Sequence, residues 1–236
     1  MKETADNIEL SIVVPFYREG ENVKLVLEEL LHIMGKIKIH HEIIVVNNGA
    51  DRETAAYIGR FMERHSQIVC VSIRKNTGLG SGLRSGFAVA RGRYICFFGG
   101  DRQTNPRDLI RMIAYARVHR EVDMLSGNRI IRNDSLYRLI LSRVFNKWFQ
   151  ILFKTELQDI NGTPKLFTRQ LLNRMSLDSD NWFIDCELVL KALCLHMTIV
   201  NFPVEFRKRV IGKSHINITA VFEFIIKLLW NYIKKK

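Results

Sequence analysis

Apolar residues in the first half of the chain follow two alternating periods. Near-continuous runs rich in β-branched residues occur at IELSIVVPFY, HEIIVVNNGA, IVCVSI and RYICFF, and such runs are typical of buried strands. Between the first two runs, apolar residues recur at helical spacing over residues 23–34. Segments 54–65, 83–92 and 106–119 predict further helices, the second closed by Gly92 as a C-terminal cap. Strand–helix alternation at this spacing predicts a doubly wound, mostly parallel α/β sheet.

The second half of the chain is less regular. VDMLSGNR and TIVNFPVEFRKR predict strands, and LYRLILSRVFNKWFQILFK predicts a helix with a polar residue at every fourth position. The C-terminal AVFEFIIKLLWNYIKKK predicts a second apolar helix with a narrow polar stripe. Apolar helices with tryptophan and basic residues are typical of membrane surfaces, and the alternative is core or dimer packing. We expect one domain over residues 1–215 and a membrane-contacting helix over 216–236.

The loops that follow the four predicted strands are polar or glycine-rich. They read PFYREGEN, NNGADRET, IRKNTGLGSG and GGDRQTNP. In open α/β sheets ligands bind outside the carboxyl ends of the strands. These loops therefore predict one site of about nucleotide size at one edge of the sheet.

The charge balance narrows the class of partner. With 36 Lys and Arg against 24 Asp and Glu, the net charge is +12, which favours anionic partners such as phosphorylated substrates or an anionic membrane surface. The basic residues do not interleave with aromatics in a recognisable motif, so nucleic acid is not expected. The N-terminus has no apolar signal core, and no window of 18 uncharged apolar residues exists. We expect a cytoplasmic protein.

Taken in order, seven segments resemble the motifs of family 2 glycosyltransferases of GT-A fold, with dolichyl- and polyprenyl-phosphate sugar synthases as the closest subgroup. They are SIVVPFYREGENV, EIIVVNNGADRET, NTGLGSGLRSGFAVARGRYICFF, GGDRQTNP, SGNR, RLILSRVFN and RVIGKSH. The resemblance covers about residues 10–215. It implies a GT-A fold with a Rossmann-like sheet and amphipathic interface helices, and an inverting enzyme that takes a sugar from a nucleotide sugar.

The resemblance also implies a divalent metal, Mg²⁺ or Mn²⁺, bridging the diphosphate of the donor. Asp101 stands at the metal-binding acid of the family's DxD motif, whereas Gly99 replaces the first acid, which contacts ribose. One carboxylate can suffice because Mg²⁺ also takes phosphate and water ligands. The alternative for Asp101 is a turn or helix-capping role before Pro106.

Asn47 and Asn48 replace an Asp-Asp pair of the family. An amide both donates and accepts, so a cytidine-linked donor is conceivable beside a uridine-linked one; the alternative is that both residues shape a turn. The residues that the resemblance implies in donor binding are Pro15, Tyr17, Glu19, Asn47, Asn48, Gly78, Arg84 and Gln103.

The acceptor implied by the subgroup is a polyprenyl phosphate. It is already an anion, so it needs cations to hold it rather than a strong base. The cations implied for this are Arg129, Arg138, Lys165 and Arg209. A hydroxyl acceptor would need a base, and Asp185 and Glu187 are candidates that cannot share one helix face. We favour Asp185, whose alternative is a structural acid at a helix start.

Three functional hypotheses follow. The first is sugar transfer to a polyprenyl phosphate at the cytoplasmic membrane face. The second is transfer to a saccharide hydroxyl in lipopolysaccharide, capsule or glycan assembly, with Asp185 as base. The third is a non-catalytic domain that binds nucleotide sugars, which the replacements at residues 47, 48 and 99 motivate.

Overall fold

One seven-stranded sheet organises the protein. The computed structural model describes residues 8–131 and 136–207, and the structural statements below concern these residues. The strands are β1 (Leu10–Phe16), β2 (His41–Asn48), β3 (Ile68–Ile73), β4 (Tyr94–Phe97), β5 (Met124–Ile131), β6 (Lys165–Thr168) and β7 (Ile199–Glu205). The helices are α1 (Asn22–Met34), α2 (Arg52–Arg64), α3 (Leu79–Val89), α4 (Pro106–Val118), α5 (Leu136–Phe153), α6 (Arg169–Arg174) and α7 (Ile184–Cys194).

The strand order is β3-β2-β1-β4-β6-β5-β7. Strand β6 runs antiparallel to both of its neighbours, β4 and β5, and the other pairs are parallel. This confirms the predicted mostly parallel α/β sheet. The sequence did not predict β6, because four residues in the segment DINGTPKLF carry little periodicity and their pairing partners are distant in the chain.

Helices cover both faces of the sheet, so its central strands are buried on both sides. In β1, Ile12 and Val14 face the core shared with α1 and α4, whereas Val13 faces the core shared with α3 and α7. Successive side chains of a strand point to opposite faces, and here both faces meet a helical layer. That double burial explains why the strands read as continuous apolar runs.

The bounds of α3 differ from the prediction. The helix begins at Leu79 and ends at Val89, so Gly92 is not its cap. A Cβ at Gly92 would lie 2.5 Å from the amide nitrogen of Ser11 and 2.7 Å from the carbonyl carbon of Leu10. Glycine is therefore required at this position because the chain passes close to β1, and not because a helix ends there.

The long helix α5 spans the predicted segment, and α4 begins at Pro106 as expected. Asn105 caps α4, since its side chain accepts a hydrogen bond from the amide of Arg107. No helix among residues 8–131 and 136–207 has the length and apolar character needed to cross a bilayer. The predicted C-terminal helix over 216–236, and the domain boundary before it, lie outside the described residues.

Candidate functional site

The predicted donor and acceptor loops meet at one edge of the sheet. The carboxyl ends of β1 to β5 and of β7 point the same way, and β6, which runs oppositely, begins at that edge. Lys165, the first residue of β6, lies opposite Phe97 at the end of β4 and opposite Ser126 in β5. The edge therefore brings the predicted donor residues, which lie at the ends of β1 to β4, next to the predicted acceptor residues Arg129 in β5 and Lys165 in β6.

The loop after β1 holds Tyr17 and Glu19 half-buried. The guanidinium of Arg18 lies 5.3 Å from the centre of the Tyr17 ring, and Arg18 adopts a left-handed backbone with φ of 52°. Glu19 accepts a hydrogen bond from the Asn22 side chain at 2.9 Å. The carbonyl of Pro15 packs so closely against Gly100 that no Cβ fits there. This loop is thus fixed against both α1 and the turn after β4.

Asn47 and Asn48 make different contacts at the end of β2. Asn47 accepts a hydrogen bond from the amide of Ala50 at 3.0 Å, which closes a turn. Asn48 is buried and donates to the carbonyl of Gly78 at 2.8 Å, while its oxygen accepts from the amide of Thr77 at 3.3 Å. Its amide therefore uses both a donor and an acceptor to anchor the loop before α3, which a carboxylate could not do.

The glycine-rich start of α3 packs against a distant segment of the chain. Gly78 has φ of 94°, and a Cβ on it would overlap the carbonyl of Asp180. That carbonyl also accepts the amide of Gly80 at 2.9 Å. Arg84 donates to the carboxylate of Asp180 and, at 3.2 Å, to the carbonyl of Leu177. In the structure, Gly78 and Arg84 hold residues 177–181 over the edge of the sheet.

Asp101 lies in the turn that follows β4. Its Oδ1 accepts a hydrogen bond from the amide of Gln103 at 3.2 Å, and the carboxylate is half-buried. Gly99 leaves space beside it, since a Cβ there would come within 3.3 Å of the same oxygen. Gln103 in turn donates to the carbonyl of Arg207 at 3.2 Å and accepts the amide of Arg207 at 2.8 Å. The turn is therefore tied to the segment after β7.

On the acceptor side, Arg129 forms a two-point ion pair with Asp159. Its Nε and Nη2 donate to the two carboxylate oxygens at 2.6 and 2.8 Å, and the Asp159 side chain is 5% exposed. The guanidinium also lies 5.0 Å from the centre of the Phe206 ring. Such a two-point contact fixes the plane of the guanidinium.

Lys165 and Asp185 form a second ion pair close by. The ammonium of Lys165 donates to Asp185 Oδ1 at 3.0 Å and to the carbonyl of Gly162 at 2.7 Å, and the Lys165 side chain has no exposed surface. Burial raises the pKa of the Asp185 carboxyl, and the positive charges of Lys165 and Arg129 oppose that rise. Lys165 thus faces Asp185 and not the solvent where an acceptor would arrive.

Asp185 and Glu187 point to different partners, as their spacing predicts. Both lie in the first turn of α7, but Glu187 accepts the amides of Asp178 and Ser179 at 2.9 Å each. Asp185 is the acid of this pair that joins the acceptor-side ion pairs.

Of the other predicted acceptor cations, Arg209 lies outside the described residues, and so does the side chain of Arg138, whose backbone belongs to α5.

The residues present fit a divalent cation held mainly by its substrate. In the described part of the chain, no group of three or more His, Cys, Asp or Glu side chains is placed to hold a metal ion. Asp101 offers one carboxylate at the predicted diphosphate position, and Mg²⁺ commonly uses one or two carboxylates beside phosphate and water oxygens. We expect metal binding to be weak until the donor is present.

Sequence reasoning did not assign a role to Asp159 or Asp180. Asp159 orients Arg129, and Asp180 pairs with Arg84 and meets the α3 glycines. For Asp159 the sequence does offer an indication, because DINGTPK places this acid before a glycine and a lysine. For Asp180 the local sequence offers none, because its partner Arg84 lies almost a hundred positions away in the chain.

The chain is similar to known glycosyltransferases in sequence and in structure. It matches the family described as Glycosyl transferase family 2 over residues 11–178. It is 26% identical over 223 residues to dolichyl-phosphate beta-glucosyltransferase of Dictyostelium discoideum, covering 87% of this chain and 68% of the relative. It is 26% identical over 230 residues to dodecaprenyl-phosphate galacturonate synthase of Rhizobium johnstonii, covering 96% of this chain and 67% of the relative.

Among solved structures, it resembles glucosyl-3-phosphoglycerate synthase from Mycobacterium tuberculosis in complex with Mn²⁺, uridine diphosphate and glucosyl-3-phosphoglycerate. The TM-score is 0.73 at 15% identity, over 94% of this chain and 79% of the other. A mannosyltransferase from Pyrobaculum calidifontis in complex with GDP-Man and Mn²⁺ gives a TM-score of 0.64 at 17% identity, over 90% and 61%. At such identities the likeness shows the fold, and it confirms the predicted GT-A class.

Proposed function

Because the chain belongs to glycosyl transferase family 2, we propose that it transfers a sugar from a nucleoside diphosphate sugar to a polyprenyl phosphate. The predicted enzyme class, a glycosyltransferase, is confirmed by the family. The acceptor is supported by the two curated relatives, whose names specify dolichyl phosphate and dodecaprenyl phosphate.

The observation that carries the proposal is that Phe206 links the turn of Asp101, on the proposed donor side, to Arg129, the proposed acceptor cation. Arg129 lies over the ring of Phe206, and Phe206 forms a β-bridge with Thr104, which belongs to the turn that contains Asp101. A guanidinium fixed in this way can hold a phosphate near the donor diphosphate. Such positioning suits an acceptor that is anionic before it reacts.

The roles of the residues follow from that arrangement. Asp101 would hold a Mg²⁺ or Mn²⁺ ion, which when bound supplies positive charge against the departing nucleoside diphosphate. Arg129 would orient the acceptor phosphate so that one of its oxygens faces the anomeric carbon on the side opposite the leaving group. The acceptor oxygen forms the new bond as the bond to the diphosphate breaks, so the anomeric configuration inverts.

The metal role of Asp101 is tested by Asp101→Asn. The amide oxygen can still accept the hydrogen bond from Gln103, so the turn and the stability should persist while the charge is lost. We expect transfer to fall about 10²-fold or more. Metal-dependent binding of nucleoside diphosphate, measured by thermal shift with Mg²⁺ or Mn²⁺, should disappear as well. A variant that transfers sugar at the wild-type rate would disprove the metal role.

A second candidate acceptor is a saccharide hydroxyl, which the position of Asp185 beside the acceptor cations favours. A hydroxyl needs a base, and losing a general base costs about 10²–10⁴ in rate. With a phosphate acceptor, Asp185→Asn should keep substantial transfer, whereas Arg138→Ala and Arg209→Ala should lose most of it. The opposite pattern, with donor binding intact in all three variants, would replace the phosphate acceptor by a hydroxyl.

Peripheral contact with an anionic membrane at its cytoplasmic face is part of the proposal, and α5 supports it. Two residues of the polar stripe of α5 face the protein: Asn146 accepts the amide of Ile160 at 3.1 Å, and Gln150 donates to the carbonyl of Leu157 at 2.9 Å. On the core side, Phe149 and Phe153 are buried. The helix therefore uses its polar residues to hold the acceptor loop.

The outer surface of α5, which we name the α5 ridge, is apolar. Its members are Ile140, Val144, Trp148 and Ile151, with exposed fractions of 49%, 52%, 60% and 66%. Exposed basic residues flank the ridge, namely Arg143, Lys147 and Lys154. An apolar surface bordered by cations matches the interface of an anionic bilayer, where a polyprenyl phosphate would be found. The predicted C-terminal helix would add a second contact.

A further inference from the structure

The two ion pairs on the acceptor side share one arrangement of burial. The Arg129 side chain is 13% exposed and that of its partner Asp159 is 5% exposed, while the Asp185 side chain is 11% exposed and that of its partner Lys165 is not exposed at all. Arg129 and Asp185 are thus the more exposed ions of the two pairs. The positive charge of Arg129 also acts on the Asp185 carboxyl, so the two pairs are electrostatically coupled.

Lys165 is buried against its ion-pair partner. Its ammonium donates to Asp185 and to the carbonyl of Gly162, and its side chain has no exposed surface. A lysine is rarely buried to this extent unless its charge is matched. The sequence predicts that Lys165 contacts an acceptor phosphate directly, whereas this pairing favours an effect that passes through Asp185.

Within the two ion pairs, two positive charges on Arg129 and Lys165 face two negative charges on Asp159 and Asp185. The further acid on α7, Glu187, is turned away and is held by the amides of Asp178 and Ser179. The neighbouring Cys186 thiol stays neutral, because burial raises its pKa well above the ordinary value. Removing Lys165 would leave Asp185 without the cation that its carboxylate contacts.

We propose that Lys165 is a positioning residue that neutralises Asp185, so that an anionic acceptor held by Arg129 does not meet an unbalanced carboxylate. The inference rests on the proposed phosphate acceptor. It replaces the predicted direct role of Lys165 in phosphate binding with an indirect one. Asp159 is likewise a positioning residue, because its carboxylate fixes the orientation of the Arg129 guanidinium.

A pH dependence follows with a defined sign. Burial raises the pKa of Asp185 and Lys165 opposes this effect, so replacing Lys165 by a neutral residue raises that pKa further. The carboxyl is then neutral at low pH and becomes an uncompensated anion as the pH rises. Repulsion of the acceptor phosphate should therefore grow with pH in such a variant, and wild-type protein should lack this trend.

The test compares Lys165→Met, Asp185→Asn and the double variant Lys165→Met/Asp185→Asn from pH 6 to 9. The probe is a short-chain polyprenyl phosphate, and the measured quantities are the KM for this acceptor, kcat and the Kd of the nucleoside diphosphate. In Lys165→Met, the KM for the acceptor should rise about tenfold or more towards high pH, because like charges face each other. The double variant should return to within about threefold of the wild-type KM and show the same pH dependence as wild-type protein.

The double variant also serves as the pH control, because the acceptor phosphate itself titrates in both proteins. Should Lys165→Met fail to fold, Lys165→Gln retains a hydrogen-bond donor towards Asp185 and Gly162 without the charge, and the same comparison applies. The inference is wrong if Lys165→Met leaves the acceptor KM unchanged. It is also wrong if the double variant stays impaired while Asp185→Asn is active. Either result leaves the proposed phosphate acceptor in place. Loss of transfer in Asp185→Asn with normal donor binding instead overturns the phosphate acceptor itself.

Discussion

At the residue scale, positions that depart from the family pattern have structural partners of their own. Asn48 stands where the resemblance places an acid, yet its amide bonds the carbonyl of Gly78 and the amide of Thr77 at once. Gly99 lies beside Asp101, and a Cβ there would be a tight contact, 3.2 Å from Thr104 Oγ1 and 3.3 Å from Asp101 Oδ1. These departures are therefore built into the local packing and do not by themselves indicate a lost activity.

Asn48→Asp should destabilise the protein. The new carboxylate oxygen would face the carbonyl of Gly78 and the side-chain oxygen of Asn76, where the amide now donates at 2.8 and 3.3 Å. Two facing acceptors at a buried position should cost about 1–3 kcal/mol of unfolding free energy. Urea unfolding measures the difference.

The matched control for this substitution is the neighbouring Asn47→Asp. Asn47 uses its oxygen to accept the amide of Ala50, a bond that a carboxylate can also accept. Its unfolding free energy should stay within about 0.5 kcal/mol of the wild-type value. Equal losses in the two variants would contradict the anchoring role that we assign to Asn48.

At the element scale, α5 is a helix with three distinct faces. Phe149 and Phe153 face the core, Asn146 and Gln150 hold the segment 157–160, and the α5 ridge is exposed. Asn146 and Gln150 of the polar stripe are turned inward, whereas Lys154 of the same stripe is exposed. A contiguous apolar ridge on the surface of a helix is suited to a bilayer interface.

The variant Val144→Glu/Trp148→Glu should release the protein from vesicles that contain anionic lipid. Both side chains are more than half exposed, so folding should be retained. Each loses apolar burial in the bilayer worth about 1.5–3 kcal/mol, so vesicle affinity should fall about tenfold or more. Vesicle co-sedimentation measures the change.

The control variant is Met62→Glu/Val118→Glu, which introduces the same two charges at exposed apolar positions on α2 and α4. It should sediment nearly as wild-type protein does. An equal loss of vesicle binding in both variants would show a general effect of the added negative charges and not a specific role of the α5 ridge. Sedimentation of the α5 variant at the wild-type level would remove α5 from the proposed membrane contact.

At the scale of the whole molecule, one sheet edge joins the proposed donor and acceptor sites. The antiparallel β6 lies between β4 and β5, so it places Lys165 between the turn of Asp101 and the strand of Arg129. Helix α5 follows β5 and holds the loop that precedes β6. Membrane contact through the α5 ridge would therefore act on the loop that carries Asp159 and leads to Lys165 at the start of β6.

The sequence by itself determined the strand–helix alternation, the mostly parallel sheet and the set of loops at its edge. These features follow from local periodicity: a strand buried on both faces must read as an apolar run, and a helix must repeat near 3.6 residues. Motif order also identified the family. Asp101 and Arg129 could be selected because each stands within a short segment that resembles a family motif.

Only the tertiary structure decided how the selected residues pair and which of them reach the surface. Lys165 and Asp185 are 20 positions apart, Arg129 and Asp159 are 30 apart, and Arg84 and Asp180 are 96 apart. Such contacts leave no periodic signal, because they form where the loops of a folded sheet converge. Burial is likewise a property of the packed molecule: Lys165, which the sequence predicts to bind an acceptor phosphate, is fully buried and paired with Asp185.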